Sequence, residues 1–174
     1  IETIGAYKGE ENYIPEKNKP AAPPLAGWTI AWGSPQLAPD FDDSAWNILS
    51  EGDSMEMDSL GHYYGFVWFR GAYDGKIKSI SIDARNCFSV YVNSKLVASK
   101  DNFKNITGAG DDFAETYKID IPSGMQTDGR NVMVIVVESM GHNKDFECDA
   151  RNPRGIISLD TGETQVSWRW RGGM

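Results

Sequence analysis

The amino-acid sequence predicts an all-β fold, an antiparallel β-sandwich. Three observations predict it: short segments alternate apolar and polar residues at period two, turn-forming residues separate them, and no segment sustains helical periodicity. Regular alternation of strand and helix units, the mark of a parallel sheet, is absent, as is any internal repeat.

Residues 1–26 read as an N-terminal arm or interdomain linker and residues 27–174 as the sandwich domain. Between Glu10 and Pro24 the chain is charged and then rich in proline (Pro15, Pro20, Pro23, Pro24), which keeps the backbone extended and offers little apolar surface to bury. Trp28 to Trp32 is a short strand, and Pro35 to Asp43 a turn-rich crossing. Gly65 to Tyr73 is rich in aromatic and β-branched residues. Ile80, Ile82 and Ala84 alternate with Ser79, Ser81 and Asp83, so one face of that strand is expected buried and the other wet.

Phe88, Val90 and Val92 alternate with Ser89, Tyr91 and Asn93, and Asn93-Ser94 turns the chain into Leu96 to Ser99 as a hairpin. Tyr117, Ile119 and Ile121 repeat the pattern until Pro122 stops it. Asn131 to Glu138 is apolar at both parities, which predicts a central strand covered on both sides. Gly155 to Leu159 and Gln165 to Trp170 flank the turn Asp160-Thr161-Gly162-Glu163, with Val166, Trp168 and Trp170 on one face.

With 174 residues and 19.3 kDa the chain suits one domain with a proper core and has no room for a second, catalytic one. Seventeen basic against 25 acidic residues give a net charge of -8 and an isoelectric point near 4.7, a field that repels nucleic acid and anionic membrane surfaces. The chain starts at Ile1 and shows no signal-peptide pattern, so a mature or excised fragment of a larger protein is expected. Cys87 and Cys148 match no metal-ligand spacing. Bridged, they would close a loop worth about 4 kcal/mol; the alternative is two buried thiols.

Candidate chemistry is sparse. Gly52-Asp53-Ser54-Met55 is similar to the nucleophile block of GDS-type lipases, but that family needs an acid three residues before its histidine, and Ser139 stands three before His142. A polar turn is the stronger reading. A glycosidase needs two carboxylates about 5 to 10 Å apart, and nothing singles out such a pair among the 25 acids. Asp40, Asp42 and Asp43, or Asp111 and Asp112, offer oxygens for a structural calcium, without the glycine and distal glutamate of an EF-hand loop. Otherwise no cofactor and no catalytic residue is expected, and two histidines 80 residues apart give little support for zinc.

Several blocks together carry a resemblance. They are Phe41-Asp42-Asp43-Ser44-Ala45-Trp46, Tyr64-Gly65-Phe66-Val67-Trp68-Phe69-Arg70-Gly71, and Phe88 to Lys95. Val136 to Asn143, Asn152-Pro153-Arg154-Gly155-Ile156 and Ser167 to Trp170 complete the set. Their order resembles the jelly-roll domain of family 35 β-galactosidases, a relative of the galactose-binding-domain-like sandwiches. Ser94 stands where these domains usually have a glycine, which puts the tight type I′ hairpin in question. In such enzymes the catalytic carboxylates lie on a separate (β/α)₈ barrel, so the resemblance implies an accessory domain and transfers no catalytic residue.

Two functional expectations follow: an architectural domain that packs beside the catalytic domain of a parent enzyme and shapes its cleft, or a carbohydrate-binding module for galactose-containing glycans. For the second, the candidate residues are His62, Tyr63 and Tyr64, with His142, Asn143, Asp145 and Arg151, because aromatics and polar groups on loops at a strand end suit a sugar.

Overall fold

The computed structural model describes residues 33–101, 115–141 and 153–173. The strand expected at Trp28 to Trp32, the arm at 1–26, Asp111, Asp112 and Cys148 lie outside the described residues. Ser34–Met174 forms one compact unit. Among the described residues there are nine strands and no α-helix: β1 (Asn47–Leu49), β2 (Gly65–Asp74), β3 (Ser79–Arg85), β4 (Cys87–Val92), β5 (Lys95–Asp101), β6 (Tyr117–Asp120), β7 (Arg130–Ser139), β8 (Gly155–Asp160) and β9 (Ser167–Gly172). They build an antiparallel sandwich of a six-stranded sheet, ordered β1-β9-β2-β7-β4-β5, and a three-stranded sheet, ordered β6-β3-β8. The predicted all-β jelly-roll class is what forms.

Period-two alternation places the core. In β2, Val67 and Phe69 are fully buried, and the register sets them against Val137 and Ile135 of β7, which in turn oppose Phe88 and Val90 of β4. Ile80, Ile82, Ala84 and Ile156 from the small sheet close the same cluster from the other side. Each such side chain removed from water contributes about 1.5–3 kcal/mol before chain entropy is set against it.

The both-sided burial expected of β7 is also present. Val132 and Val134 point away from that cluster yet are 4% and 0% exposed. A strap of chain, residues 36–43, crosses this outward face. Arg70, the cross-strand partner of Val134, gathers it in. Its guanidinium donates to the Asp43 carboxylate at 2.9 Å, to the carbonyls of Gln36, Ala38 and Phe41, and lies 5.3 Å from the Phe41 ring centroid. The turn beneath is set by Asp42, whose carboxylate accepts the Ser44 N–H at 3.0 Å, while Trp46 tucks into the core. Removing the buried guanidinium takes the donor from the strap carbonyls of Gln36 and Ala38, at about 1–3 kcal/mol for each that stays buried. Arg70→Met should therefore lower the urea midpoint strongly with the m-value kept, whereas an unchanged midpoint would show that the strap is held by other contacts.

Two sequence expectations need correction. Ser94 does not spoil the hairpin: Asn93 and Ser94 both adopt positive φ, 48° and 69°, as a type I′ turn requires, and Val92 still pairs with Lys95. The Asn93 side chain helps hold that geometry, donating to Asn131 at 2.8 Å and accepting from the Val132 N–H at 3.0 Å. The polar face of β3 is not wet throughout. Asp83 and Arg85 are 3% and 8% exposed and joined by a two-pronged ion pair of 2.9 and 3.2 Å, which satisfies the charges that burial would otherwise penalise.

Candidate functional site

Of the sequence-derived candidates, His62, Tyr63 and Tyr64 lie among the described residues, at one end of the sandwich. β2 starts there and β7 ends there, with Gly65 opposite Ser139. Just before Gly65, Tyr63 and Tyr64 are 59% and 75% exposed, and across the ladder Met140 is 78% exposed. His62 is half-buried. Its N–H donates to the Met57 carbonyl at 2.8 Å, and its ring packs on Gly172, where a Cβ would come within 2.4 Å of Cε1. Aromatic rings projecting into water beside an imidazole are the arrangement by which a protein stacks on a sugar and orients its hydroxyls.

The exit from β7 is fixed by polar contacts. Met140 N–H donates to Asn86, Gly141 N–H to the Ser139 hydroxyl, and the buried Arg154 guanidinium reaches the Gly141 carbonyl at 3.0 Å. Gly141 takes φ 91°, the positive value expected where the central strand ends. Burial, the charge of Arg85 beside it and the opposing pull of Asp58 leave the Arg154 guanidinium below its ordinary pKa. His142, Asn143, Asp145 and Arg151 lie outside the described residues.

The other chemical candidates resolve into structure. The Asp53 carboxylate accepts the Ser50 N–H and the Ser54 hydroxyl accepts the Glu56 N–H, so the lipase-like block is a hydrogen-bonded turn. Asp43 serves Arg70 and, at 3.6 Å, Arg169, while the Ser44 hydroxyl and N–H hold the Asp42 carboxyl below its ordinary pKa. Among the described residues no three His, Cys, Asp or Glu side chains converge as metal ligands. A hollow of about 790 Å³ at the β1–β9 edge is lined by Asp43, Arg70, Arg169 and Trp168, but these charges are already paired with one another or with backbone carbonyls.

A surface not picked out in the sequence lies on the outward face of the six-stranded sheet, beyond the strap. Phe66 and Trp68 of β2, Glu138 of β7, Cys87, Ser89 and Tyr91 of β4, and Ser99 of β5 line a hollow of about 370 Å³. Each strand supplies its outward parity, and the register brings these residues into adjacent rows. The signal is present in the sequence as an aromatic pair two residues apart and a Cys-x-Ser-x-Tyr run, but only strand pairing puts them side by side. Cys87 carries a free thiol whose pKa is pushed up by burial and by the nearby carboxylates of Glu138 and Asp101. In a Cys148→Ser background, alkylation of Cys87 should therefore rise with pH later than that of a free cysteine. Coincidence with the free-thiol curve would show a more open site than this one.

The chain aligns with a minor part of each of several larger proteins. The chain is similar to a segment of fungal proteins named "Probable beta-galactosidase C". The Aspergillus clavatus protein is 25% identical over 170 residues, covering 86% of this chain and 17% of that protein. The proteins of Aspergillus fumigatus and Penicillium rubens are each 24% identical and cover 97% of this chain and 18% of their own length. The chain thus spans under a fifth of the curated relatives it matches. No family model matches it. Among solved structures, a glycosyl hydrolase family 2 member from Bacteroides cellulosilyticus aligns with TM-score 0.44 and 17% identity over 82% of this chain and 19% of that one. Among the described residues no helix is long and apolar enough to cross a membrane.

Proposed function

We propose that this chain is a non-catalytic accessory jelly-roll domain of a secreted, β-galactosidase-like glycoside hydrolase, packing beside the catalytic barrel and shaping its cleft. The observation that carries this reading is the proportion of the match: nearly the whole chain aligns, but with only about 18% of each relative. A region of that size, folded as a closed sandwich, leaves the rest of such a protein to hold the catalytic carboxylates. The parent enzyme lacking this segment, mixed with the isolated chain, should form a stoichiometric complex with a raised melting temperature. Absence of association at micromolar concentration would contradict the architectural role.

A second reading, recognition of galactose-containing glycans, is favoured by the exposed pair Tyr63 and Tyr64 beside His62. Open sugar sites exchange water for hydroxyl contacts at little net gain, so affinity would rest on an aromatic platform worth about 1 kcal/mol beyond its buried area. Binding would be weak. Galactose and lactose at millimolar concentration should shift the amide resonances of labelled protein, and unmoved spectra would remove this reading.

A further inference from the structure

The outward face of the six-stranded sheet is divided in two. The strap 36–43 covers the half around Arg70 and Val134, and the other half lies open as the hollow of about 370 Å³. We propose that this open trough is a carbohydrate-binding subsite that holds a short stretch of a neutral oligosaccharide across the sheet, with Phe66, Trp68 and Tyr91 as apolar floor and Ser89, Ser99 and Glu138 as polar partners. The proposal rests on the sugar-recognition reading above and moves its centre from the strand-end loops to the sheet face.

Three features of the lining select this ligand chemistry. Phe66 is 42% exposed, and Trp68 and Tyr91 are half-buried around the same hollow, so aromatic surface is available to the C–H faces of pyranose rings. The Ser89 and Ser99 hydroxyls are 2.9 Å apart across the β4–β5 ladder, and rotating hydroxyls adapt as donors or acceptors to a ligand above them. Among the described residues the half-buried Glu138 carboxylate has no hydrogen-bond donor and no cation, and sits between the aromatic Phe66 of β2 and Cys87 of β4. An ionised carboxylate only accepts, so it calls for donors. An apolar protein face pressed on this trough would leave the Glu138 carboxylate buried without a partner, which is costly. Sugar hydroxyls supply those donors while the ring face covers the aromatics. Glu138 and the nearby Asp101 repel phosphorylated or acidic ligands.

The test uses the whole chain carrying Cys148→Ser, with β-1,4-galactotetraose as probe. The tetraose at millimolar concentration should shift amides at 66–68, 89–91 and 136–138 and slow alkylation of Cys87, whose thiol lines the trough. Phe66→Ala and Glu138→Gln should each weaken binding about tenfold with the melting temperature kept, as befits loss of one stacking or one charge-assisted contact. Ser99→Ala, at an exposed position on the edge strand, gives a third variant should either of these fail to fold. Ile48→Ala, at an exposed position on β1 at the opposite edge of the sheet, should leave affinity unchanged. Shifts confined to His62–Tyr64, with Cys87 unprotected, would overturn the subsite while keeping sugar recognition. No shift with any sugar would overturn both. Protection of Cys87 by the rest of the parent enzyme, without sugar shifts, would overturn the proposal in favour of a domain interface.

Discussion

Ile135→Asp should not fold. Ile135 is 0% exposed at the centre of β7, with Phe69 on one side and Val90 on the other, and the surrounding cluster consists of apolar residues. A carboxylate there meets neither donor nor cation, and the loss of the isoleucine's own packing adds to the cost, so the sum exceeds about 4 kcal/mol, comparable with the whole stability of a small domain. Circular dichroism and thermal melting of the variant should show no cooperative transition. A soluble, cooperatively melting Ile135→Asp protein would place this strand outside the core.

Gly155→Ala should be nearly as damaging, for a different reason. Gly155 begins β8 with φ 97°, and a Cβ there would lie 2.5 Å from Met57 N and 2.8 Å from the Met55 carbonyl oxygen. Both are backbone atoms of the loop that docks on β8 through the Glu56–Gly155 bridge and the Met57 N–H to Arg154 carbonyl bond of 2.7 Å, so neither can swing away as a side chain would. Backbone strain of about 1–3 kcal/mol adds to the clash, for a total of at least about 3 kcal/mol. Gly162→Ala is the matched control. Its φ is 67° but nothing lies within 4 Å of the added carbon, so only the strain, about 1 kcal/mol, should appear. Equal urea midpoints for the two variants would contradict the close approach at Gly155.

The strands with strong alternation were legible because their periodicity reports a physical asymmetry between a packed and a solvated face. β4 is the clearest: Phe88, Val90 and Val92 are all buried, and Cys87, Ser89 and Tyr91 are not. β1 was not legible. Its three residues have no period of their own and become a strand only by pairing with β9. Asp83 was misread as solvated because a charge at the polar parity looks wet unless its bond to Arg85 is known. The trough on the outward sheet face was hidden for a related reason, since Phe66 and Glu138, 72 positions apart in the chain, are neighbours only through the β2–β7 register. Of the loop candidates, the consecutive His62, Tyr63 and Tyr64 lie among the described residues, and His142, Asn143, Asp145 and Arg151 lie outside them.

Turnover of an aryl β-galactoside by the purified chain tests the non-catalytic assignment most directly. No hydrolysis above buffer is expected, because a sandwich of this kind is expected to lack the paired carboxylates that protonate and attack a glycosidic bond. Measurable turnover that a single Asp or Glu substitution abolishes would contradict it and make this domain an enzyme in its own right.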